Sequence, residues 1–436
     1  MSHPVPAMPP GRRIAVIGAG IAGLASAYLL ARQHRVTLFE AADYLGGHAH
    51  TVDVELDGER HPVDTGFLVF NDRTYPNLVA LFDELGVRAH GSDMSFSVSV
   101  DEGRLEWAGT NLNTVFAQRR NLFSPSFLGM LRDILRFNAS AERHLESAQR
   151  QRFSVGELLA DGGYGAPFRQ HYLLPMAAAI WSSAASDVLR FPAATFLRFC
   201  LNHALLQVNH RPPWKTVAGG SRQYVERIAA TLPDVRLNAR VRVVRRHRGG
   251  ATVWTDGAGA EHFDAVVLAC HAPTSLRLLA DASDEERAVL GAIRYQRNLA
   301  LLHTDPALLP RRRRVWSAWN YLSRRQGEDA QPVCVSYLLN QLQPLPFHTP
   351  VVVTLNPVAE PAPHTLLGRY HYEHPLLDLA AVDAQQRLPE LQGRRGTWFA
   401  GAWAGYGFHE DGLRSALRVA SDFGVAPAWA RPLNRP

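Results

Sequence analysis

The first forty residues alternate between short apolar runs and glycines in an order typical of a strand, a helix and a second strand. The apolar run at residues 14–17 predicts a short buried strand. Apolar side chains then recur at the spacing of one helical face, at Ile21, Leu24, Ala25, Tyr28 and Leu29. A second apolar run at residues 36–39 predicts the next strand. Together they form a βαβ unit, which usually begins a parallel, doubly wound sheet.

From about residue 70 to residue 215 the pattern changes to helical, aromatic and arginine-rich stretches, of which 127–149 is the longest. Strand patterns return at 235–245, 252–255, 265–270 and 397–400, and we expect a last helix to begin at about Gly412. We therefore predict an α/β protein with a Rossmann-like nucleotide-binding domain assembled from residues 1–70, 215–280 and 395–436. Residues 71–214 and 281–394 are predicted to form an inserted α+β domain that binds the substrate.

Composition and charge narrow the class of protein. The 436 residues are 46% hydrophobic and 20% charged, no apolar run approaches the roughly 18 residues of a membrane-spanning helix, and residues 1–10 lack the apolar core of a secretory signal. The three cysteines, Cys200, Cys270 and Cys334, are odd in number and far apart, which argues against a disulfide framework or a Cys-x-x-Cys metal site. We expect a cytoplasmic protein without a bound metal.

The net charge of +6 comes almost entirely from arginine, because Lys215 is the only lysine. Such an excess can attract an anionic partner or can reflect coding bias alone. No nucleic-acid-binding motif accompanies it, so no nucleic acid is expected. Residues 114–137 mix phenylalanine and leucine with arginine, and four arginines occupy 311–314. Basic, aromatic surfaces dock on anionic lipid, so we expect peripheral membrane contact, although a solvated arginine-rich helix would explain 114–137 equally well.

A glycine-rich motif follows the first predicted strand. Residues 18–23 read Gly-Ala-Gly-Ile-Ala-Gly, and the acidic Glu40 ends the second predicted strand 20 residues after Gly20. Glycines in this setting allow a tight turn and the close approach of a pyrophosphate to the free N–H groups of the helix. Glu40 can accept hydrogen bonds from the ribose hydroxyls of an adenosine. The motif predicts a dinucleotide, which is NAD or FAD.

Further segments distinguish these two cofactors by resemblance. Gly46 and Gly47 follow Glu40, Asp-Thr-Gly-Phe occupies 64–67, and Gly-Tyr-Gly-Phe-His-Glu-Asp-Gly-Leu occupies 405–413. With these motifs the chain resembles the flavin-containing amine oxidoreductase superfamily, which includes amine oxidases, protoporphyrinogen oxidase, phytoene desaturases and FAD-dependent fatty-acid isomerases. It most resembles a bacterial branch of predicted NAD/FAD-binding proteins, associated with genes for lipid-modifying enzymes including cyclopropane-fatty-acid synthases.

The resemblance implies FAD as the cofactor and a set of residues that contact it. These are Gly18, Ala19, Gly20, Ile21, Ala22, Gly23, Glu40, Ala41, Gly46, Gly47, His48, Gly66, Phe67, Val241, Gly401, Ala402, Gly412 and Leu413. The chain departs from the family at His48, where arginine is usual, and at Ala402, where an acidic residue often stands. N–H groups of Leu413 and Arg414, at the start of the last helix, are expected to face the flavin.

The candidates for catalysis are Tyr406, His409, Trp181 and Tyr337. Trp403 and Phe408 are expected to form walls of the substrate cavity, and Trp319, Asn320, Tyr321 and Asn340 are further candidates. The candidates in the insertions each join an aromatic residue to a polar neighbour, which suits a cavity that binds a long apolar ligand with one polar anchor. Aromatic residues at such spacing also occur in ordinary protein cores, and His409 can be a hydrogen-bonded structural histidine.

The resemblance further implies hydride transfer from a substrate C–H bond to the flavin. Amine oxidases of the family usually carry a lysine near the flavin, and Lys215 lies upstream of that position. We therefore predict an FAD-dependent oxidoreductase that desaturates or isomerises an unsaturated or modified fatty-acyl chain, with a small-molecule or lipid substrate. The alternatives are a flavin amine oxidase and, in a different class, a non-catalytic FAD-binding or nucleic-acid-binding protein.

Overall fold

A computed structural model of the chain describes residues 9–207, 211–257, 259–323 and 333–431. The expectation about a secretory signal concerns residues 1–10, of which 1–8 lie outside the described residues. The strands, numbered along the chain, are β1 Arg13–Ile17, β2 Arg35–Phe39, β3 Thr51–Leu56, β4 Glu59–Asp64, β5 Ala89–Ser92, β6 Phe96–Val100, β7 Leu105–Ala108, β8 Trp214–Val217, β9 Asp234–Arg236, β10 Val241–His247, β11 Gly250–Thr255, β12 Gly259–Phe263, β13 Ala265–Leu268, β14 Tyr295–His303, β15 Trp319–Ser323, β16 Cys334–Leu338, β17 Val352–Leu355, β18 Leu366–Pro375 and β19 Thr397–Phe399.

Fifteen α-helices are found in the described residues, seven of which (α3–α9) follow one another between β7 and β8. They are α1 Ile21–Leu30, α2 Pro76–Leu85, α3 Leu112–Val115, α4 Pro125–Gln151, α5 Val155–Asp161, α6 Ala166–Phe168, α7 Leu174–Trp181, α8 Ala185–Leu189, α9 Ala193–Asn202, α10 Arg222–Ala229, α11 Ala272–Leu278, α12 Asp284–Ala292, α13 Leu339–Leu342, α14 Leu379–Arg387 and α15 His409–Asp422. In the part of the chain that the structure describes, no helix is both long and apolar enough to span a bilayer.

A five-stranded parallel sheet contains the predicted βαβ unit. Its strand order is β19-β13-β1-β2-β9, and the neighbouring strands run parallel throughout. In β1, Ile14 and Val16 enter the core on one face of the sheet, where α1 and α15 pack. Ala15 and Ile17 enter the core on the opposite face, beside β10 and β11. Burial on both faces explains why the strand is apolar along its whole length.

A seven-stranded mixed sheet forms the centre of the inserted region. Its order is β18-β14-β17-β16-β15-β6-β7, and every neighbouring pair is antiparallel except β15 and β6. The largest apolar core joins this sheet to α4, α7 and α9. The five-stranded sheet therefore draws on residues 13–39, 234–268 and 397–399, and the seven-stranded sheet on 96–108 and 295–375. The residues of the two sheets fall within the two predicted domains. The domain boundaries themselves stay a prediction.

Two predicted elements differ from the structure. The strand expected at 235–245 is two strands, because Asn238 adopts a left-handed φ of 51°, and the N–H groups of Asn238 and Ala239 bond to the Ala42 and Glu40 carbonyl oxygens. The last helix begins at His409 rather than at Gly412. The carboxylate of Asp411 accepts the Phe408 N–H at 3.0 Å, which starts the helix one turn earlier than expected.

Candidate functional site

The glycine loop between β1 and α1 is shaped by contacts that exclude larger residues at two of its positions. Gly18 has a left-handed φ of 101°, and a Cβ there would lie 2.9 Å from the Ala269 carbonyl oxygen. A Cβ on Gly23 would lie 1.7 Å from the Gly18 carbonyl oxygen. A Cβ on Gly20, in contrast, would meet no heavy atom within 4 Å. The fold thus requires Gly18 and Gly23, whereas Gly20 borders open space.

The Glu40 carboxylate joins the end of β2 to this glycine loop. Its Oε2 accepts the Ala19 N–H at 2.8 Å, and its Oε1 accepts the Ala42 N–H at 2.9 Å. Each carboxylate oxygen can accept a further hydrogen bond. Because Glu40 also lines a cavity, it can accept ribose hydroxyls without losing its bonds to the backbone.

The paired glycines after β2 lie against the glycine loop. The Gly46 N–H donates to the Ala19 carbonyl oxygen at 2.8 Å. A Cβ on Gly46 would lie 2.3 Å from the Ala49 carbonyl oxygen, and one on Gly47 would lie 3.2 Å from Gly20 Cα. The two segments therefore approach each other as closely as backbone allows, which brings both within reach of one bound phosphate group.

The segment after β19 is the third part of the chain that borders the cavity. The Gly401 N–H donates to Ser415 Oγ at 2.9 Å, and a Cβ on Gly401 would lie 2.2 Å from Trp403 Nε1. Trp403 Nε1 in turn donates to the Cys270 carbonyl oxygen at 3.1 Å. Glycine at 401 therefore lets the tryptophan fold over the end of the parallel sheet and close one side of the cavity.

The helix α15 begins one turn before the Leu413 and Arg414 N–H groups that were expected to face the flavin, and the FAD contacts of Gly412 and Leu413 stay predictions. The Gly412 N–H is bonded to the Phe408 carbonyl oxygen at 3.1 Å, and Leu413 is fully buried in the core. The free N–H groups of α15 belong instead to the turn that begins at His409. A Cβ on Gly412 would lie 2.7 Å from Ile21 Cγ2, so this glycine allows α15 to pack closely against α1.

One cavity of about 440 Å³ joins these segments to the inserted region. The predicted cofactor residues that line it are Gly18, Ala19, Gly20, Ile21, Ala22, Glu40, Gly46, Gly47, His48, Gly66, Phe67, Gly401 and Ala402. Those that do not line it are Gly23, Ala41, Val241, Gly412 and Leu413. All four candidates for catalysis, Trp181, Tyr337, Tyr406 and His409, line the same cavity.

Aromatic residues form the part of the cavity that lies in the inserted region. The Phe, Tyr and Trp rings that line it there are Tyr75, Trp181, Phe199, Trp214, Tyr295, Trp319, Tyr337 and Tyr372, and the segment after β19 adds Tyr406 and Phe408. The Phe199 ring lies 4.7 Å from Trp181 and 4.9 Å from Phe408, centroid to centroid. Trp319 meets Tyr337 edge to face at 4.8 Å. The sequence candidates Asn320 and Asn340 instead bond to neighbouring backbone and side chains of the sheet.

Two indole N–H groups of this aromatic wall have no partner. The Nε1 atoms of Trp181 and Trp319 are both buried and make no hydrogen bond with any described residue. A buried N–H group without a partner costs about 1–3 kcal/mol, which a ligand oxygen would recover. The sequence indicated aromatic residues here, but only the structure shows that their N–H groups are left unpaired.

A group of histidines lies next to the glycine loops, and the sequence analysis identified only one of them. The His48 and His374 rings lie 5.1 Å apart, and His271 Nδ1 lies 3.1 Å from the Glu373 carboxylate. Burial lowers the pKa of His374 to about 4. Burial and the neighbouring histidines hold the pKa of His48 well below its ordinary value. The Tyr-His-Tyr-Glu-His run at 370–374 was the signal that could have revealed His374.

His409 is held in an apolar setting. Its ring stacks on Phe67 with the centroids 3.7 Å apart and the planes at 17°. Its Nε2 lies 3.1 Å from the Tyr224 hydroxyl, and burial lowers the pKa of His409 to about 3. The imidazole is therefore neutral near pH 7. Lys215 lies outside the cavity lining and binds the Asp72 carboxylate at 2.7 Å.

These groups fit a bound dinucleotide. Open space beside Gly20 leaves room for a pyrophosphate, Glu40 retains capacity for hydroxyl donors, and His48 Nε2 is buried without a partner among the described residues. The cavity then continues from the nucleotide loops into the aromatic wall. A cofactor held at one end would thus face a ligand held at the other.

Comparison with known proteins places this geometry among flavoenzymes. The sequence model of a family described as flavin containing amine oxidoreductase matches residues 21–301. A Mycobacterium tuberculosis protein named as a flavin-containing monoamine oxidase is 31% identical over 265 residues, which cover 57% of this chain and 54% of that protein. The carotenoid phi-ring synthase of Streptomyces griseus is 31% identical over 319 residues, which cover 68% of this chain and 58% of that protein.

The chain thus spans about half the length of these curated relatives. Among solved structures, the CLA-producing fatty acid isomerase from P. acnes superposes with a TM-score of 0.66 at 18% identity, covering 94% of this chain and 98% of that one. At this identity the likeness concerns the fold alone. The predicted fold class, a Rossmann-like nucleotide domain of the amine-oxidase type with an inserted α+β region, is confirmed.

Proposed function

We propose that this chain, which belongs to the flavin-containing amine oxidoreductase family, removes a hydride from an unsaturated or modified fatty-acyl chain. FAD is the cofactor and, when bound, accepts that hydride. Loss of a proton from the neighbouring carbon then gives a desaturated chain. Return of the hydride to another carbon, with no net oxidation, gives an isomer with a shifted double bond.

The observation that carries the acyl-chain proposal is the chemical character of the cavity wall. Away from the glycine loops the lining is mostly aromatic and aliphatic, and neither lysine nor arginine is among the described residues that line the cavity. An apolar chain would displace water from this surface at a gain of about 0.8 kcal/mol for each buried methylene. The unpaired N–H groups of Trp181 and Trp319 would bind an oxygen of the acyl group and fix the position of the chain.

The aromatic wall also suits the charge that hydride removal creates. The carbon that loses hydride becomes positive, and the faces of aromatic rings attract positive charge. Burial raises the pKa of Tyr406 to about 12, so its hydroxyl stays protonated and can donate a hydrogen bond. We assign Tyr406, Trp181 and Tyr337 to binding the chain. We assign neutral His409 to positioning Phe67 rather than to donating a proton.

We assign FAD contacts to the predicted residues that line the cavity, with Glu40 on the adenosine ribose and Gly20 beside the pyrophosphate. Gly23, Gly412 and Leu413 would act behind that surface, by fixing how α1 and α15 pack. We also propose FAD contacts for Ala41 and Val241, which lie outside the cavity lining, with the Val241 backbone at the adenine. We also propose that residues 1–70, 215–280 and 395–436 form the FAD-binding domain, and that residues 71–214 and 281–394 form the substrate-binding domain.

A flavin amine oxidase is the second candidate. It is favoured by the relative named as a monoamine oxidase and by an aromatic cavity, which can also surround an ammonium group. It is disfavoured by the position of Lys215, the only lysine, whose ammonium binds Asp72 outside the cavity. The third alternative, a non-catalytic FAD-binding or nucleic-acid-binding protein, is not proposed, because the chain belongs to a family of oxidoreductases.

We also propose that the enzyme works in the cytoplasm and takes its acyl chain from an anionic membrane surface through peripheral contact. A long-chain lipid resides in a bilayer, so an enzyme with an apolar cavity gains access to it only at that surface. Nucleic acid is not among the expected partners.

Anaerobic stopped-flow spectroscopy tests the choice of substrate. We expect unsaturated or methyl-branched phospholipids to bleach the visible flavin band, or to leave with a displaced double bond detected by mass spectrometry. Benzylamine, putrescine and amino acids should leave the flavin oxidised. Bleaching by an amine, with every acyl lipid inert and chemically unchanged, would replace the acyl proposal with the amine oxidase.

The indole anchors provide a matched set of variants. Trp181→Phe and Trp319→Phe each remove one N–H group and retain most of the ring, so the acyl substrate should bind roughly tenfold more weakly at unchanged FAD content. Trp107→Phe is the control, because its Nε1 is also buried and unpaired but lies outside the cavity lining. Equal effects at all three positions would show that the N–H groups do not bind substrate.

A further inference from the structure

Large apolar side chains are exposed on one part of the surface in unusual number. Among the described residues nine such side chains are exposed, and five of them fall within residues 112–135. These five are Leu112, Leu122, Phe123, Leu128 and Leu135. Phe123 is 85% exposed and Leu112 is 76% exposed. Such exposure is costly in water, and contiguous apolar patches usually mark sites of interaction.

Arginines surround these apolar side chains. In α4, Leu128, Arg132 and Leu135 follow one another at helical spacing on the exposed side, which places a charge between two leucines. Arg119 and Arg120 stand in the short 3-10 turn that ends at Phe123. From residue 107 to residue 132 the sequence contains no aspartate or glutamate.

The fold brings a second basic segment to the same place. Val315 packs with Ala108 and Ala117 in a small buried cluster, so residues 311–314 lie beside the strand and turn that lead to Phe123. Arg312 is neutralised by the buried Glu106 carboxylate at 2.7 Å. Arg313 and Arg314 remain exposed. The two basic stretches, which are about 190 residues apart in sequence, form one surface.

We call this surface the Phe123 face. It consists of the apolar residues Leu112, Leu122, Phe123, Leu128 and Leu135 and the arginines Arg104, Arg119, Arg120, Arg132, Arg313 and Arg314. In the described ranges, Arg104, Arg119, Arg120, Arg313 and Arg314 form no ion pair with a carboxylate. Their positive charge is therefore available to a partner.

We infer that the Phe123 face docks on the headgroup region of an anionic lipid bilayer, with Phe123 and the leucines inserted and the arginines on lipid phosphates. This rests on the proposed delivery of an acyl chain from a membrane. Exposed arginines match an anionic surface, and exposed aliphatic side chains match the acyl boundary beneath it. A second copy of the chain would bring the same arginines into opposition across a two-fold axis, which disfavours self-association.

The position of the face in the fold links it to the cavity. It is built on β7, at one edge of the seven-stranded sheet, and β15, two strands away, contributes Trp319 to the cavity wall. The other edge of the same sheet is β18, which carries the exposed Leu367. A lipid surface at the β7 edge would therefore lie two strands from the strand that contributes Trp319 to the cavity wall.

Vesicle flotation with the FAD-loaded full-length protein tests the inference. Wild type should bind vesicles of phosphatidylcholine with one quarter phosphatidylglycerol, should lose binding in high salt, and should bind pure phosphatidylcholine far more weakly. Arg119→Gln with Arg120→Gln should lower binding by roughly fivefold for each arginine. Phe123→Ala with Leu112→Ala should lower it by roughly tenfold or more. Each variant should retain wild-type FAD content.

The controls are chosen from other surfaces. Leu367→Ala, and Arg245→Gln with Arg248→Gln, should bind vesicles like wild type. As a second measurement, a polarity-sensitive dye on Phe123→Cys should shift to shorter wavelength on anionic vesicles, whereas the same dye on Leu367→Cys should not. Equal binding by face and control variants would overturn the inference. The inference would also be overturned if the face variants lost DNA binding or concentration-dependent dimerisation instead of vesicle binding.

The vesicle-binding test and the substrate test can fail independently, because the protein can bind vesicles without turning over a substrate. If acyl lipids dispersed in detergent fail to reduce the flavin, while the face variants still lose vesicle binding, the docking surface stands and the substrate assignment fails. If detergent-dispersed lipids react and all variants bind vesicles alike, the substrate assignment stands and the docking surface fails.

Discussion

Gly20 and Gly23 belong to the same motif but have different neighbours, so their substitution should separate folding from cofactor binding. Gly20→Val places its side chain in open space, where a pyrophosphate would lie, so the protein should fold but purify without flavin. Gly23→Ala forces a Cβ to within 1.7 Å of the Gly18 carbonyl oxygen and should destabilise the fold. Flavin absorbance and urea denaturation of both variants measure the two effects. A yellow Gly20→Val protein would contradict the assignment.

Glu40 gives a second test at the scale of one side chain. Glu40→Ala removes acceptors for the ribose and for the Ala19 and Ala42 N–H groups, so FAD affinity should fall by roughly tenfold or more. Glu40→Gln keeps an acceptor oxygen and should lose less. Fluorescence titration with FAD measures both, and circular dichroism checks that the fold is retained. An unchanged affinity would mean that Glu40 does not bind the ribose.

His303 should make stability depend on pH. Burial lowers the pKa of His303 to about 4, whereas in the unfolded chain it is about 6.5. As the pH falls from about 6.5 to 4, the unfolded chain takes up a proton that the folded protein does not, so stability falls by about 1.4 kcal/mol for each pH unit. His303→Gln should reduce the slope of the unfolding free energy against pH by the contribution of one proton. Its side-chain amide can replace the hydrogen bonds to the Thr354 hydroxyl and the Asp305 N–H group. Urea midpoints at pH 5 and pH 8 measure the slope, and equal slopes would show that His303 does not cause it.

At the scale of residues, the sequence predicted which residues belong to the site better than it predicted which residues contact one another there. The glycine motif and Glu40 were found because their spacing follows from the geometry of a βαβ unit. His271, His374 and the unpaired indole N–H groups were not found, because strands that are distant in sequence bring them to the cavity. The run at 370–374 marks His374 as a candidate, but a local pattern does not show which distant residues will surround it.

At the scale of elements, the start of α15 stabilises a second helix. The Glu410 carboxylate accepts the N–H groups of Asn77 and Leu78 and the Asn77 side-chain amide, and so caps the N-terminus of α2. Glu410→Ala leaves these buried donors unpaired and should cost on the order of 3 kcal/mol in the free energy of unfolding. Glu146→Ala, at an exposed position of α4, should cost less than about 0.5 kcal/mol. Urea denaturation of both variants checks this, and equal losses would rule out the capping role.

Elements with a complete local signal were predicted closely. The helix expected at 127–149 is Pro125–Gln151, where Ser124 Oγ accepts the Phe127 N–H and marks the start. The strand expected at 235–245 is interrupted because the Asn238 and Ala239 N–H groups bond to residues of another segment. The start of the last helix was placed too late because Asp411 acts as its capping residue from inside the first turn.

At the scale of the whole molecule, FAD should stabilise every part of the fold that forms the cavity. The cavity is lined by segments as far apart as Gly18, Trp181 and Gly401, so bound FAD opposes the unfolding of all of them. At a hundredfold excess over its Kd, a ligand adds about 2.7 kcal/mol to the stability of the folded state. Thermal unfolding with and without FAD should show this shift in wild type and not in Gly20→Val. A shift of equal size in both proteins would place the binding site elsewhere.

The order of strands in the parallel sheet has a consequence for the protein during its synthesis. The glycine loop and β1 leave the ribosome well before β13, which pairs with β1 and begins at residue 265, and before its neighbour β19, which begins at residue 397. At the usual rates of translation, about 5–20 residues per second, β1 waits on the order of 10–50 s for its first distant partner. During that interval an apolar strand edge is exposed to other nascent chains, so the yield of active enzyme should depend on chaperone capacity, and flavin can be captured only after β19 has been synthesised.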